Sequence, residues 1–243
     1  MAVPDEVARE LLADHELGTL ELVVYFVTYV ASPISLSALA AEARTTRSAA
    51  AMACSRLAQR GWLSLTRCGK GLRPTVLVPQ RCQELMANAL ETGYSLVANK
   101  GEYLMKRFLD LRVDSDEYID NARPGFLINP KTGELLEYDR YYLLHGVAFE
   151  FNGPQHYELT GRYPDERTLR ETQTRDLIKG GISLNAKVAM VTVTVDQLHP
   201  DILETLLPAQ LPRRTVDVGG CYYRTLASLC TGYGAKARAA GRQ

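Results

Sequence analysis

Residues 137–157 read EYDRYYLLHGVAFEFNGPQHY, and how this stretch is parsed decides the fold. Leu143–Gly146 has the composition of a turn, and the residues on either side alternate as strands do. A strand has a side-chain period of two, so Val147, Phe149 and Phe151 point to one side, expected to be the core. Ala148, Glu150 and Asn152 point to the other. Glu150 therefore stands between two phenylalanines, and Asp139 between Tyr138 and Tyr141 on the preceding strand. A carboxylate in such surroundings is costly unless something compensates it. A divalent cation shared by the two is one compensation, and a salt bridge or an ordinary surface pair is another.

Upstream, Phe126–Ile128 reads as a strand, Asn129-Pro130-Lys131-Thr132-Gly133 as a turn, and Glu134–Tyr142 as the next strand. With Val147–Asn152 these predict a three-stranded antiparallel meander. Gly101–Leu109 predicts a helix ahead of it, carrying Glu102. Downstream, Thr168–Lys179 predicts a crossover helix into Lys187–Val195, whose β-branched residues suit a strand inside the sheet. Residues 197–207 read as a short helix. From Pro208 the chain is expected to be a partly flexible tail, whose Lys236, Arg238 and Arg242 either add nonspecific DNA affinity or do nothing measurable.

Residues 1–98 have another character. Leu17–Val30 is a largely apolar helix ended at Ser32-Pro33, because proline disfavours helical geometry in the residue before it. Ser35 caps Leu36–Ala43, and Thr45 or Thr46 opens a longer helix to about Arg60, with Gly61 as its left-handed stop. Trp62–Thr66 and Thr75–Val78 are strands around a Gly-rich basic loop, Cys68–Leu72, and Gln80–Leu96 is one more helix. The chain balances 28 basic against 28 acidic residues, yet Ala43–Gln83 holds eight basic side chains and no acid. Such a local field serves a polyanion partner or is simply a solvated basic face.

Other classes are disfavoured. The five cysteines form no CxxC pair and suggest neither a disulfide framework nor a four-ligand zinc site, which fits a reduced cytoplasm. The opening MAVPDEVARE lacks the pattern of a secretory leader. Leu20–Ala31, the most apolar stretch, is too short for a bilayer. A soluble cytoplasmic protein with no membrane partner is expected.

Two resemblances extend this reading. Residues 35–78, SLSALAAEARTTRSAAAMACSRLAQRGWLSLTRCGKGLRPTVLV, resemble the winged helix-turn-helix family. The resemblance implies a helix in the major groove, with Thr46, Arg47, Ser48 and Met52 near base edges and Arg56 further along it. Lys70 and Arg73 would then lie on the wing near phosphates. A winged helix used for protein contacts is the alternative.

Residues 137–142 and 148–157, with Gln173–Lys179 and the lead-in Phe126–Gly133, resemble the PD-(D/E)xK nuclease superfamily. The similarity is to its branch related to very-short-patch-repair endonucleases, and it spans roughly residues 100–196. It implies a restriction endonuclease-like mixed sheet flanked by helices, with Asp139 and Glu150 holding Mg2+ or Mn2+. Glu102 would occupy the place of a further acidic ligand. Gln155 and His156 would follow the Glu150 strand, His156 orienting or deprotonating water. A solvated helix-start Glu102 and a turn His156 are the alternative readings. The position two after Glu150, where a lysine usually completes the motif, is Asn152, and the resemblance relocates that role to Lys179, on the same helix face as Asp176.

The combined expectation is an α/β chain: a winged helix-turn-helix in residues 1–98, a nuclease domain in 99–210 and a tail in 211–243. Its function would be metal-dependent hydrolysis of double-stranded DNA, with a homodimer allowed because cutting both strands usually takes two active sites. If Lys179 does not reach the site, the chain is expected to be a DNA-binding regulator or architectural protein that does not cut. A transcription factor with a protein-interaction domain is the third reading.

Overall fold

The computed structural model describes residues 3–31, 35–68, 71–153 and 166–240. They form a mixed α/β protein with one two-stranded and one four-stranded sheet. The chain divides into two compact units, Met1–Ala89 with Gly220–Tyr222, and Leu90–Gly219 with Tyr223–Gln243. The division was expected near residue 98. It falls inside α5 (Gln80–Leu96), whose end belongs to the second unit: the Tyr103 hydroxyl donates to Leu90 O, and the Tyr103 ring lies against Gly93.

In the first unit, α1 (Asp5–Leu12), α2 (Thr19–Val30), α3 (Leu36–Glu42) and α4 (Arg47–Gln59) precede a hairpin of β1 (Leu63–Cys68) and β2 (Gly71–Val76). The starts of α3 and α4 are fixed locally. Ser35 Oγ accepts from Ala38 N–H at 3.3 Å, and Thr46 Oγ1 from Ala49 N–H at 3.2 Å, satisfying donors that a helix leaves unpaired. Gly61 turns the chain out of α4 at φ +77°, a conformation that costs glycine little. The second strand begins at Gly71, earlier than expected, because Leu72 and Arg73 pair across the hairpin with Arg67 and Thr66. Trp62 is fully buried. Its ring meets Tyr25 edge-on at 5.6 Å, and its indole N–H donates to Asp14 at 3.1 Å.

In the second unit the sheet order is β3-β4-β5-β6, from Ile119–Ala122, Tyr138–Tyr142, Val147–Asn152 and Ala189–Thr194. The first three strands are antiparallel and β6 runs parallel to β5. The meander therefore starts at β3, in a stretch that reads as irregular, and not at Phe126–Ile128. The latter makes only an isolated bridge, Ile128↔Leu135.

Both faces of β5 are covered. Phe149 meets Tyr142 on one face, and α6 (Lys100–Arg112) packs on β5. On the other face Ala148 is fully buried with Tyr138, Tyr141 and Val188 beside Ile178 and Ile182 of α7 (Glu166–Asn185). A parallel neighbour demands a crossover helix, and that helix covers the second face. Residues 221–240 are a helix too, α9 (Cys221–Ala240), where a tail was expected. Leu226 and Cys230 are buried and Tyr233 packs on Phe151, the i, i+4, i+7 spacing of an amphipathic face. The short α8 (Pro200–Leu206) completes the unit. Among the described residues no helix is long and apolar enough to cross a membrane.

Candidate active site

The pairing of β4 with β5 runs Tyr142↔Val147, Tyr141↔Ala148, Arg140↔Phe149. One step further along that register places Asp139 opposite Glu150. There the ladder gives way to a side chain, for Asp139 Oδ2 accepts the Phe151 N–H at 2.7 Å. Lys179 of α7 reaches the same end of the sheet, its Nζ 2.5 Å from Glu150 Oε1. Both partners are largely removed from water, at 9% and 14% side-chain exposure. Asp139, Glu150 and Lys179 are thus brought together by two strands and the crossover helix.

Glu102 lies on the first turn of α6 and is bound within its own helix, its Oε1 accepting from Lys106 Nζ at 2.5 Å. Lys106 also donates to Asn121 Oδ1 at 3.0 Å. Asn121 sits on β3 with φ +54°, a left-handed conformation that asparagine tolerates better than most residues. Glu102 and Lys106 both act electrostatically on Asp139, as Glu150 does.

Asp139 is the group most affected. Burial first, then the charge of Glu150, push its carboxyl up to about 7, against the Phe151 N–H, which favours the ionised form. A site that holds a carboxyl near neutrality is one where added positive charge is stabilising.

The strand is held by the next residue. Arg140 is fully buried and grips Asp120 with two bonds, Nε to Oδ1 at 2.7 Å and Nη2 to Oδ2 at 3.0 Å. Its Nη1 lies 2.5 Å from Asp110 Oδ1 and 3.3 Å from Lys106 O, and its guanidinium stacks 3.8 Å over Tyr118. Burial opposes the charge of Arg140, but hydrogen bonding to Asp120 and the charge of Asp110 more than offset it, so its pKa is raised. This network fastens β4 to β3 and α6, and thereby fixes Asp139.

Asp139 and Glu150 are the two carboxylates at this end of the sheet that could offer oxygens to a cation. Mg2+ suits such a set, since it is commonly held by one or two carboxylates, waters and substrate phosphates. Among the described residues no group of three or more His, Cys, Asp or Glu that could hold a metal is assembled, and Glu102 is engaged by Lys106. Gln155 and His156 lie outside the described residues. Asn152 is buried at the end of β5. Sequence reasoning missed Lys106, Asn121 and Arg140. The Glu102–Lys106 spacing, i to i+4 with the acid first, was the available signal for Lys106.

In the first unit, Arg47, Ser48 and Met52 are exposed along α4, Met52 at 60%, and Thr46 is its cap. Arg73 is exposed on β2, and Lys70 lies outside the described residues. Among the described residues Arg44, Arg47, Arg67 and Arg73 have no ion-pair partner. Arg56, by contrast, pairs with the buried Glu21 at 3.0 Å, and Arg60 and Arg81 pair with Asp14 and Glu10.

No family model matches this sequence, and no solved structure matches it. It is similar to uncharacterized protein 033L of Invertebrate iridescent virus 3, at 33% identity over 104 residues. The match covers 42% of this chain and 52% of the viral protein, so the chain spans about half the length of the curated relative it matches.

Proposed function

We propose that this chain is a metal-dependent DNA endonuclease of restriction endonuclease-like fold, directed to double-stranded DNA by a winged helix in its first unit. The observation that carries the reading is the convergence of Asp139, Glu150 and Lys179 at one end of a mixed sheet. Asp139 and Glu150 are the residues that would hold Mg2+ or Mn2+. When bound, the ion would polarise the scissile phosphate, favour ionisation of the attacking water and stabilise the leaving oxygen. Asp139, with a carboxyl near neutrality, gives up its proton readily when a cation approaches. Lys179 supplies the positive charge that Asn152 cannot, and it arrives from α7 rather than from β5. Lys106 holds Glu102 beside the pair.

The exposed Arg47, Ser48 and Met52 on α4 are consistent with base-edge contacts, and Arg73 with a phosphate contact. Supercoiled plasmid incubated with Mg2+ or Mn2+ tests the enzyme. Cleavage by the wild type, absent with chelator and abolished by Asp139→Ala and by Glu150→Ala, is the expected result.

One observation favours a second reading, a DNA-binding regulator that does not cut. Lys179 is already engaged by Glu150, and among the described residues no three-donor metal group is assembled. That reading expects tight duplex binding indifferent to metal and to both alanine substitutions, with no nicking under any metal.

A further inference from the structure

A groove of about 560 Å3 in the second unit is lined by Tyr94, Ser95, Lys100, Tyr233, Lys236 and Ala237. That lining contains no carboxylate. Lys100 Nζ donates to Tyr94 O at 2.8 Å and lies 4.6 Å from the centre of the Tyr94 ring, so ammonium and ring are held as one unit. Among the described residues neither the Tyr94 nor the Tyr233 hydroxyl has a hydrogen-bond partner. Burial raises both phenols further above their ordinary range. Lys236 is exposed at the rim.

The Phe151 side chain lies between the groove and the strand that carries Glu150. Tyr233 meets the Phe151 ring at 6.0 Å, and Phe151 fills the space left by the missing side chain of Gly101. Along α6, Lys100 serves the groove, Gly101 admits Phe151, and Glu102 turns to the site. Along β5, Glu150 belongs to the site and Phe151 to the wall that separates it from the groove.

We propose that this groove is a binding subsite for a single-stranded nucleic acid, taking an unstacked base against Tyr233 and the face of Tyr94 opposite Lys100, and its phosphates on Lys100 and Lys236. Aromatic rings with flanking cations are what a single strand requires, because every base offers a π-face and every linkage a negative charge. A base inside a duplex is already stacked and cannot enter a recessed groove. Binding rests on the groove alone. Only its role, presenting a strand end or splayed nucleotide to Asp139 and Glu150, rests on the nuclease reading.

The test uses the full chain in chelator, so that no strand is cut, with a fluorescent oligothymidylate of about 15 nucleotides and excess unlabelled duplex. Fluorescence anisotropy is expected to show binding that survives the duplex. Tyr94→Ala is expected to weaken it roughly tenfold, whereas Tyr94→Phe keeps it, since the ring is the contact. Lys236→Ala, at an exposed position that the fold does not need, is expected to lower the slope of log affinity against log salt by about 0.7. Affinities and salt slopes unchanged in Tyr94→Ala and Lys236→Ala would overturn the proposal. So would displacement by polyglutamate with no sensitivity to Tyr94→Ala, which would mark an acidic-peptide site. Groove-dependent binding in a chain that never cleaves plasmid overturns the nuclease reading and supports the subsite, and plasmid cleavage without groove-dependent binding does the reverse.

Discussion

Lys179 Nζ stands 2.5 Å from Glu150 Oε1, tying the crossover helix α7 to the central strand β5 across the end of the sheet. Both side chains are mostly buried, so the pair is a structural element as well as part of the proposed site. Lys179→Met takes the positive charge away from a carboxylate that still lies in a low-dielectric place, at an expected cost of about 3 kcal/mol in denaturant unfolding. Combining it with Glu150→Gln should recover most of that loss, because the remaining groups are neutral. A single-mutant loss below about 1 kcal/mol would place the pair among ordinary surface bridges. Plasmid nicking should vanish in both single variants.

Asp139 gives the site a pH dependence whose sign follows from its carboxyl lying at about 7, held there by burial first and by Glu150 second. In the unfolded chain an aspartate titrates near 3.9, so between about pH 4 and 7 the folded state carries a proton that the unfolded state lacks. Stability contributed by this group is therefore greatest at the acid end of that window, falls as pH rises through it, and levels off above. Relative to Asp139→Asn, the wild type should lose stability between about pH 4 and pH 7 and change little above that. Added Mg2+ should release protons at about pH 6, because the cation favours the ionised form. Calorimetry in buffers of different ionisation enthalpy reads this directly, and Mg2+ binding without proton release would count against Asp139 as a ligand.

Those parts of the fold that depend on neighbours in sequence were legible: the Ser35 cap, a second cap at Thr45 or Thr46 that the structure places at Thr46, the stop at Gly61, the strand around Glu150 and the crossover helix after it. What escaped depends on distant partners. Ile119-Asp120-Asn121-Ala122 holds three residues that disfavour strands, yet it forms β3 because Asp120 grips the buried Arg140 with both oxygens. Arg140 itself, between Asp139 and Tyr141, looks like any surface arginine on a strand until α6 supplies Asp110 and the Lys106 carbonyl. Of the candidate site, the strand positions of Asp139 and Glu150 follow from the period-two pattern, whereas Lys179 was pointed to only by the family resemblance; the structure brings Lys179 to Glu150. Lys106 was visible only as a helix-surface partner of Glu102, since its approach to Asn121 on β3 is a tertiary fact.

Gly101 separates the proposed metal site from the tyrosine groove. A Cβ at this position, on the first turn of α6, would overlap the Phe151 ring. Gly101→Ala is expected to destabilise the chain by about 1–3 kcal/mol, as overpacking does. Phe151→Leu makes room and should reduce the penalty of Gly101→Ala in a double-mutant cycle. Strict additivity of the two changes in chemical denaturation would show that the overlap is relieved elsewhere.

Arg47 and Arg56 lie on the same helix, and the structure assigns them different chemistry. Arg47 has no ion-pair partner among the described residues and stands exposed on the first turn of α4, next to the Thr46 cap. Arg56 reaches back to Glu21 on α2 at 3.0 Å, and Glu21, only 5% exposed, also accepts the Gly18 N–H at 3.1 Å. If α4 enters the major groove, removing Arg47 removes a contact to DNA. Arg47→Ala should then weaken duplex binding and lower the salt slope by about 0.9 if that contact is a phosphate. A base contact would instead relax sequence preference at one position and leave the slope nearly unchanged. Arg56→Ala should change neither, and should cost about 1 kcal/mol of folding stability because Glu21 keeps its backbone partner but loses its cation. Anisotropy titrations at several salt concentrations, paired with thermal melts, separate the two. Equal losses of affinity in both variants would mean that the Arg56–Glu21 pair opens on DNA. A loss from Arg56→Ala alone would place the nucleic-acid surface further along α4 than its N-terminus.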